Sequence, residues 1–303
     1  MSAPKRQHWV PRFYLRQFAV QPSSSGKEQV WIFHRKHGSE PILTSIENIA
    51  VEKYLYSPPD GQGVRDFTME RRLADLESTM AILWPELANG FVDLGSSSVR
   101  KGIALFLAIQ LLRHPTRRDS VMDFRSQVLS LLQDHPRDSE GVPIDAQIQI
   151  GHQIVTITKD LWEQIIGGTS QSDTTTWVGL INDMAIEFAE ILLEKRWSMV
   201  FVDEPLFVTS DFPFYVASPE HKRFQIGGKK AVISFPVSPT RTLCFDDLDV
   251  NPNRYHKIKN EDADLYNLMT WVNTDSYMIS GRDVDEVLYG CLRVKEEHEK
   301  SNC

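Results

Sequence analysis

Apolar side chains recur at helical spacing through the middle of the chain. One run steps by alternating threes and fours through Leu73, Leu76, Met80, Leu83 and Leu87. This spacing predicts a helix from 67 to 88 with one apolar face. A second predicted helix, from 96 to 113, is apolar nearly all round, so we expect it to be central and to end at His114-Pro115. Two more helices are predicted, over residues 119–133 and 174–195.

Strand patterns lie on both sides of this helical block. Residues 28–35 are rich in aromatic and β-branched side chains, which favours a strand. Residues 42–44 are expected to complete a hairpin with it, and residues 51–56 to add a third strand at its edge. After the helices the pattern predicts further strands, over 197–202, 207–209, 232–235, 242–245 and 276–280. Two closing helices are predicted, over 261–272 and 283–295.

The order of strands, then helices, then strands is typical of an α+β fold. We therefore predict a mixed or antiparallel sheet, built from N-terminal and C-terminal strands and packed against the central helical block. No repeat, low-complexity tract or long linker interrupts the 303 residues. A single domain over residues 1–303 is expected, with a helical subdomain at about 67–195.

Composition and charge limit the function classes. The net charge of −8 gives no global attraction to nucleic acid or to an anionic membrane surface. A local basic patch is still available from Lys5, Arg6, Arg12 and Arg16. The longest apolar stretch, residues 102–112, is about half of the ~20 residues that a membrane-spanning helix needs. The start does not resemble a signal peptide.

The three cysteines are scattered and no pair has metal-ligand spacing; they are Cys244, Cys291 and Cys303. A disulfide framework is therefore not indicated, and a reducing compartment is the default. Together with the missing signal peptide, this usage predicts a cytoplasmic protein without a membrane partner.

The opening segment, residues 8–18, sets one imidazole and two guanidinium groups among large apolar side chains. Because it is too apolar to remain in water, we expect it to dock. His8 is the natural proton carrier at neutral pH and precedes a short helix predicted to begin at Pro11. Arg12 and Arg16, four residues apart, are expected to point the same way and to grip a phosphate or carboxylate. The alternative is that both arginines make structural ion pairs and His8 satisfies a backbone group.

Glu77 lies at the edge of the apolar face of the helix predicted over 67–88. A carboxylate that leaves water needs a cation, a metal or hydrogen-bond donors. Arg113, at the end of the most apolar helix, is the expected partner in a buried ion pair. The alternative is that Glu70 and Glu77, two turns apart on one face, supply oxygens for acid–base chemistry or metal binding.

A strand that ends in Ser210-Asp211, ahead of a Pro turn, aims two short polar side chains past the edge of the sheet. Asp211 could ligate a metal or orient His8, and Ser210 could bind an anion. The alternative is a local turn in which both side chains satisfy backbone amides. No G-x-S-x-G surrounds Ser210, so a nucleophile elbow is not indicated. Phosphate-loop and H-E-x-x-H motifs are also absent from the sequence.

The motif H-x-V-P-R-F-Y-L-R-x-F at residues 8–18 resembles the start of a bacterial family known as domain of unknown function 4238. Further segments resemble it in the same order, at Trp31-Ile32-Phe33, Leu76-Glu77, Gln110–Pro115, Phe207–Pro213 and Phe235–Pro239. The resemblance spans roughly residues 8–280 and implies the family's fold but no reaction. Phe212 stands where the family usually has Asn, so an amide role is lost there. The bacterial setting of the family suggests a role in phage defence.

Matching polar positions in this resemblance coincide with those reached from residue chemistry: His8, Arg12, Tyr14, Glu77, Arg113, Ser210 and Asp211. One hypothesis is a hydrolase or nuclease acting on a phosphodiester or other anionic substrate. Its catalytic residues would be His8, Glu77 and Asp211, with a divalent metal as a conceivable cofactor of unknown identity. Arg12, Tyr14, Arg113 and Ser210 would bind the substrate or its anionic group.

The other hypothesis is a non-catalytic anion-binding, sensor or interaction module in which the same residues are structural. The expected partner is a small anionic substrate or nucleic acid. The negative net charge counts against nucleic acid, because phosphate contacts dominate its affinity. The sequence indicates neither an oligomeric state nor a pathway.

Overall fold

The structure of the protein is a computed structural model that describes residues 5–20, 26–35, 40–60, 62–150, 153–217, 226–228, 230–248 and 254–301. It confirms the predicted α+β fold. No helix among these residues is both long enough and apolar enough to cross a membrane. Cys244 and Cys291 are buried free thiols, and Cys303 lies outside the described residues.

The strands of the described ranges are, in chain order, β1 Arg6–His8, β2 Gln29–His34, β3 Ile42–Ser45, β4 Val51–Lys53, β5 Gln147–Ile150, β6 Gln153–Thr156, β7 Arg196–Phe201, β8 Thr209–Ser210, β9 Tyr215–Ala217, β10 Val232–Ser238, β11 Arg241–Asp246, β12 Arg254–Lys257 and β13 Tyr277–Ser280. The helices of the same ranges are α1 Arg12–Leu15, α2 Thr68–Asn89, α3 Ser97–Leu112, α4 Pro115–Leu131, α5 Lys159–Ile166, α6 Ser170–Glu194, α7 Ala263–Asn273 and α8 Val284–Ser301.

N-terminal and C-terminal strands share a sheet, as predicted. A four-stranded sheet has the order β3-β2-β13-β8, in which β13 pairs antiparallel with both β2 and β8. A five-stranded sheet has the order β12-β7-β11-β10-β9 and is mixed, because β12 runs parallel to β7 while its other pairs are antiparallel. The four-stranded sheet therefore joins the two ends of the chain across the helical block.

The prediction of a third hairpin strand over 51–56 is wrong. The strand in that region, β4, pairs with β1 in a separate two-stranded sheet, where His8 lies opposite Val51. Pairing partners far apart in sequence are not encoded in local periodicity, and β1 is too short to give a strand pattern of its own. This pairing places the backbone of His8 in a strand that comes shortly before α1.

Helix boundaries in the middle of the chain also differ from the prediction. Helix α4 begins at Pro115 rather than at 119, since Pro suits the first helical position and the His114 ring accepts a bond from the amide of Thr116. Helix α6 begins at Ser170 rather than 174. The β5–β6 hairpin and helix α5 were not predicted, although Thr158 caps α5 through the amide of Leu161.

The main hydrophobic core joins the docked N-terminal segment to the helices and to the five-stranded sheet. Tyr14 and Phe18 from the N-terminus are fully buried there, against Trp84 of α2 and Phe235 of β10. Helix α3 is buried along most of its length, as its all-round apolar pattern predicts. This packing places the N-terminal segment against α2 and α3, where the candidate site forms.

Candidate functional site

Backbone contacts fix the docked N-terminal segment beside the end of α3. The amide of Trp9 donates to the carbonyl of Ala50 at 2.9 Å. The carbonyl of Trp9 accepts from Gln110 Nε2 at 2.6 Å and from Arg113 Nε at 2.9 Å. The opening segment therefore docks, as expected. Arg113, at the predicted end of α3, is one of the residues that hold it there.

A cavity of about 390 Å³ opens between this segment and α2, and we name it the Glu70 cavity. Its lining joins one imidazole, two guanidinium groups and three carboxylates to a short apolar wall: Arg6, His8, Arg12, Glu47, Glu70, Leu73, Ala74 and Glu77. Ion-binding and proton-transfer groups from the first 12 residues thus meet one face of α2. The spacing of Glu70 and Glu77, two turns apart, predicted that they share a face.

The His8 imidazole is partly buried in this cavity. Among the described residues, its Nε2 atom is buried and has no hydrogen-bond partner. Burial, together with the positive charges of Arg12 and Arg6, lowers the pKa of His8 to about 4, although a hydrogen bond to the backbone of Glu47 opposes the shift. His8 is therefore neutral at pH 7, with one ring nitrogen able to accept a proton.

Glu70 has the opposite perturbation. Burial, together with the negative charge of Glu77 and against the positive charge of Arg113, raises the pKa of its carboxyl to about 7. Near neutral pH this carboxyl is divided between its protonated and ionised forms. The Glu70 cavity therefore contains a neutral base and a carboxylic acid that can still donate a proton.

The floor of the cavity carries the ion pair predicted between Glu77 and Arg113. Arg113 Nη1 donates to Glu77 Oε1 at 2.7 Å, and the guanidinium side chain is only 1% exposed. Tyr56 adds a bond from its hydroxyl to the carbonyl of Arg113 at 2.9 Å. Arg113 consequently links the cavity floor, the end of α3 and the docked segment through Trp9.

The spacing of Arg12 and Arg16 predicted that both side chains point the same way, and this prediction is wrong. Helix α1 ends at Leu15 and continues as a 3-10 turn, so Arg12 and Arg16 diverge. Arg12 Nη2 pairs with Glu47 Oε1 at 2.9 Å at the rim of the cavity, while Arg16 pairs with Glu28. Only Arg12 of the two lines the cavity.

Arg6 and Glu47 line the cavity but were not among the predicted site residues. Arg6 Nη2 donates to the carbonyl of Glu47 at 2.7 Å and to Asn48 Oδ1 at 3.1 Å. The basic start of the chain was a signal for Arg6. Nothing in the local sequence marked Glu47, which reaches the site because the segment before β4 lies beside the docked N-terminus.

Tyr14 and Ser210 lie in the interior and do not line the cavity. The Tyr14 hydroxyl is bonded to Thr209 Oγ1 at 2.5 Å and donates to the carbonyl of Pro236 at 2.8 Å. Ser210 Oγ donates to the carbonyl of Phe212 at 2.7 Å and accepts from its amide at 3.2 Å. The Ser210 contacts are those of the local turn given above as the alternative to anion binding.

Replacing Tyr14 with Phe should lower the free energy of unfolding by about 1–3 kcal/mol, because a buried hydroxyl and a buried carbonyl lose their partner. Urea denaturation measures the change. The control is Tyr289→Phe, at a side chain that is 74% exposed, which should shift stability by less than about 0.5 kcal/mol. Equal effects of the two substitutions would contradict a structural role for the Tyr14 hydroxyl.

Asp211 lies outside the Glu70 cavity, in a buried cluster with His114 and Asp275. One ligand atom from each of the three residues lies within 4.8 Å of the others. Asp211 accepts backbone bonds from Asp275 at 3.1 Å and Ser276 at 2.8 Å, and burial raises its pKa to about 7. An imidazole nitrogen with two carboxylates is a donor set that suits a divalent transition metal.

Trp9 contacts two residues of this cluster. Its indole donates to the carbonyl of Asp211 at 3.1 Å, and its ring packs edge-on against His114 with the centroids 5.9 Å apart. The structure thus brings His8, Arg12 and Glu77 together at one cavity, with Arg113 behind Glu77. It places Asp211 outside this cavity, in contact with Trp9. The sequence identified His114 only as a helix end, and it gave no signal for Asp275.

The protein therefore has an α+β fold with a polar cavity between its docked N-terminal segment and its helical block. A family sequence profile, described as "Protein of unknown function (DUF4238)", matches residues 6–283. The chain belongs to this family, as the resemblance of its motifs implied. No similarity to a curated protein or to a solved structure was found.

Proposed function

We propose that this protein is a hydrolase that cleaves a phosphodiester, or a related anionic ester, in the Glu70 cavity. His8 is the general base and Glu70 the general acid. Arg6 and Arg12 bind the anionic oxygens of the substrate, and the Glu77–Arg113 pair holds the cavity floor. Relative to the residues identified from sequence, this assignment retains His8, Arg12, Glu77 and Arg113, takes up the alternative that Glu70 serves in acid–base chemistry, and adds Arg6.

The observation that carries the proposal is the opposite perturbation of two titratable groups that line one cavity. His8 is held neutral, with a pKa of about 4, while Glu70 retains its proton up to about pH 7. A structural ion pair between a histidine and a glutamate would have the opposite effect on both pKa values, because it stabilises the charged form of each residue. A base and an acid whose pKa values are moved past each other are a common basis of proton-transfer catalysis.

The reaction step follows from these protonation states. His8 takes a proton from a water molecule as the water oxygen forms a bond to phosphorus. The bond between phosphorus and the leaving oxygen breaks, and Glu70 gives its proton to that oxygen. The net change is the addition of water across one P–O bond, and proton exchange with solvent restores both residues.

The rim of the cavity suits a small anionic substrate. Arg12 and Glu47 form an exposed ion pair, with side chains 47% and 60% exposed, and such pairs contribute little stability. A phosphoryl oxygen can therefore replace the Glu47 carboxylate on Arg12 at low cost. A volume of about 390 Å³ and a net charge of −8 favour a small substrate over a long nucleic acid.

The pH dependence of kcat/KM is expected to be bell-shaped. Activity rises through about pH 4, where His8 loses its proton and becomes a base, and falls above about pH 7, where Glu70 loses the proton it must donate. The measurement is the initial rate on bis(para-nitrophenyl) phosphate across this range. In Glu70→Gln the alkaline limb should disappear and the rate should fall; a wild-type limb that persists in this variant contradicts the assignment.

The substrate class is tested on a small panel with the intact chain. It contains bis(para-nitrophenyl) phosphate, a dinucleoside monophosphate and a single-stranded oligonucleotide, each assayed with a chelator or with added Mg²⁺, Mn²⁺ or Zn²⁺. We expect turnover of the small diesters and slower cleavage of the oligonucleotide. Dependence on an added metal would assign the His114, Asp211 and Asp275 cluster or the carboxylates of the cavity a further role. No turnover under any condition would overturn the proposal.

A second candidate is an anion-binding module without catalysis. The observation that favours it is that Arg12 and Arg113 already hold carboxylates, at 2.9 Å and 2.7 Å. In that case the same phosphodiesters would bind, as measured by calorimetry, but would be recovered uncleaved after prolonged incubation.

A further inference from the structure

A second cavity, unlike the first in chemistry, lies between α4 and α6. Its volume is about 410 Å³, and we name it the Trp177 cavity. It shares no lining residue with the Glu70 cavity. Most of its wall is apolar, with Val121 and Phe124 from α4 facing Trp177, Ile181 and Phe188 from α6.

The back wall of this cavity is held by packing and by a hydrogen bond. Trp177 is 1% exposed, and its indole donates to the carbonyl of Leu112 at 3.0 Å. The same ring packs against Tyr56, with centroids 5.4 Å apart. The space in front of Trp177 is therefore preformed, which lowers the cost of ordering when a ligand enters.

The mouth of the cavity exposes large apolar side chains to water. Phe124 is 41% exposed on one side and Leu180 is 37% exposed on the other. The polar groups of the lining are Arg117 and the hydroxyls of Ser120 and Thr176. The Ser120 hydroxyl donates to the carbonyl of Thr116 at 2.8 Å, which leaves Arg117 as the cation of a largely apolar space. Such a lining suits an occupant with an apolar body and one anionic group.

We propose that the Trp177 cavity binds a single-chain amphiphile with an anionic headgroup, such as a medium-chain fatty acid. The alkyl chain covers the exposed faces of Phe124 and Leu180 and packs on Trp177, which removes apolar surface from water. The carboxylate meets Arg117. A volume of about 410 Å³ is in the range of small-molecule sites and holds one such chain.

Isothermal titration calorimetry of the full chain with dodecanoate, below its micelle concentration, tests the proposal. We expect saturable binding of one dodecanoate per chain and weaker binding of octanoate, since a shorter chain buries less apolar surface. The cation dodecyltrimethylammonium should bind at least about tenfold more weakly, because it offers Arg117 no anion. Equal affinity for the anionic and the cationic amphiphile would overturn the proposal.

Three variants locate the bound chain. Leu180→Glu places a charge at the mouth and should abolish binding. Ile186→Glu is the matched control, since Ile186 is 65% exposed on the same helix and does not line the cavity. Arg117→Gln should weaken dodecanoate about tenfold and leave dodecyltrimethylammonium no weaker. Equal losses in Leu180→Glu and Ile186→Glu, with unchanged melting temperatures, would show nonspecific adsorption and contradict the assignment.

The outcome is independent of the proposed hydrolysis. Amphiphile binding uses none of the residues of the Glu70 cavity, so a protein without phosphodiesterase activity can still bind dodecanoate. Conversely, a catalytically active protein that does not bind dodecanoate would overturn this inference alone.

Discussion

His8→Ala is expected to lower kcat/KM for a phosphodiester by about 10²- to 10⁴-fold, the usual contribution of a positioned general base. The loss arises because, among the described residues that line the Glu70 cavity, His8 is the one imidazole and is neutral at pH 7. The melting temperature should fall only modestly, since within the described part of the chain Nε2 makes no hydrogen bond and the ring loses its bond to the backbone of Glu47. Steady-state kinetics and thermal melts of the purified variant provide both measurements.

The matched control for this experiment is His256→Ala. His256 is exposed on β12 and does not line the cavity. It should retain the kinetics and the stability of the parent protein. If His8→Ala and His256→Ala are equally active, His8 is not the base. If His8→Ala loses activity only in proportion to a lost folded fraction, its role is structural.

Arg113→Met is expected to lower the free energy of unfolding by about 3 kcal/mol. The substitution leaves Glu77 without its cation and the carbonyl of Trp9 with only one of its two side-chain donors. Removing one member of a buried ion pair typically costs about 3–5 kcal/mol, and we expect the lower end because Glu77 is 28% exposed toward the cavity. Urea denaturation at pH 7 measures the change.

Arg12→Gln provides the comparison, because it removes the same charge from an exposed pair and should cost less than about 1 kcal/mol. The double variant Glu77→Gln with Arg113→Met should recover part of the loss, since no unpaired charge remains. Similar losses in Arg113→Met and Arg12→Gln would contradict the anchoring role of Arg113.

Much of the fold could be predicted because its signals are local. The alternating spacing of Leu73 through Leu87 predicted α2 nearly to its ends, and the all-round apolar pattern predicted the burial of α3. The strands near 197–202 and 242–245 became β7 and β11. The spacing of apolar residues shows which face of a helix or strand is buried. Each of these elements is buried on one face or on both, so its sequence carries a clear pattern.

Errors arose where pairing over long distances decides the structure. The strand near residue 51 pairs with β1 and not with the hairpin, because the docked N-terminus offers an edge that local sequence does not reveal. Helix α5 and the β5–β6 hairpin are short and form a small cluster of their own with α4, so their patterns are weak.

In the candidate site, too, some features could be predicted from the sequence and others depend on contacts between distant segments. A buried carboxylate needs a partner, and this requirement alone predicted the Glu77–Arg113 pair. The joining of His8 to Glu70 required the β1–β4 pairing, and Glu47 arrives through the same pairing. The pKa values of His8 and Glu70 depend on burial and on charges distant in sequence, so they could not be predicted from residue identity.

NMR titration of the His8 ring and the Glu70 carboxyl in the intact protein tests the central claim most directly. Signals are assigned with His8→Gln and Glu70→Gln. We predict that His8 titrates near pH 4 and Glu70 near pH 7. Titration of His8 near its ordinary 6.5 and of Glu70 near its ordinary 4.5 would contradict the claim that this cavity holds a neutral base beside a protonated acid.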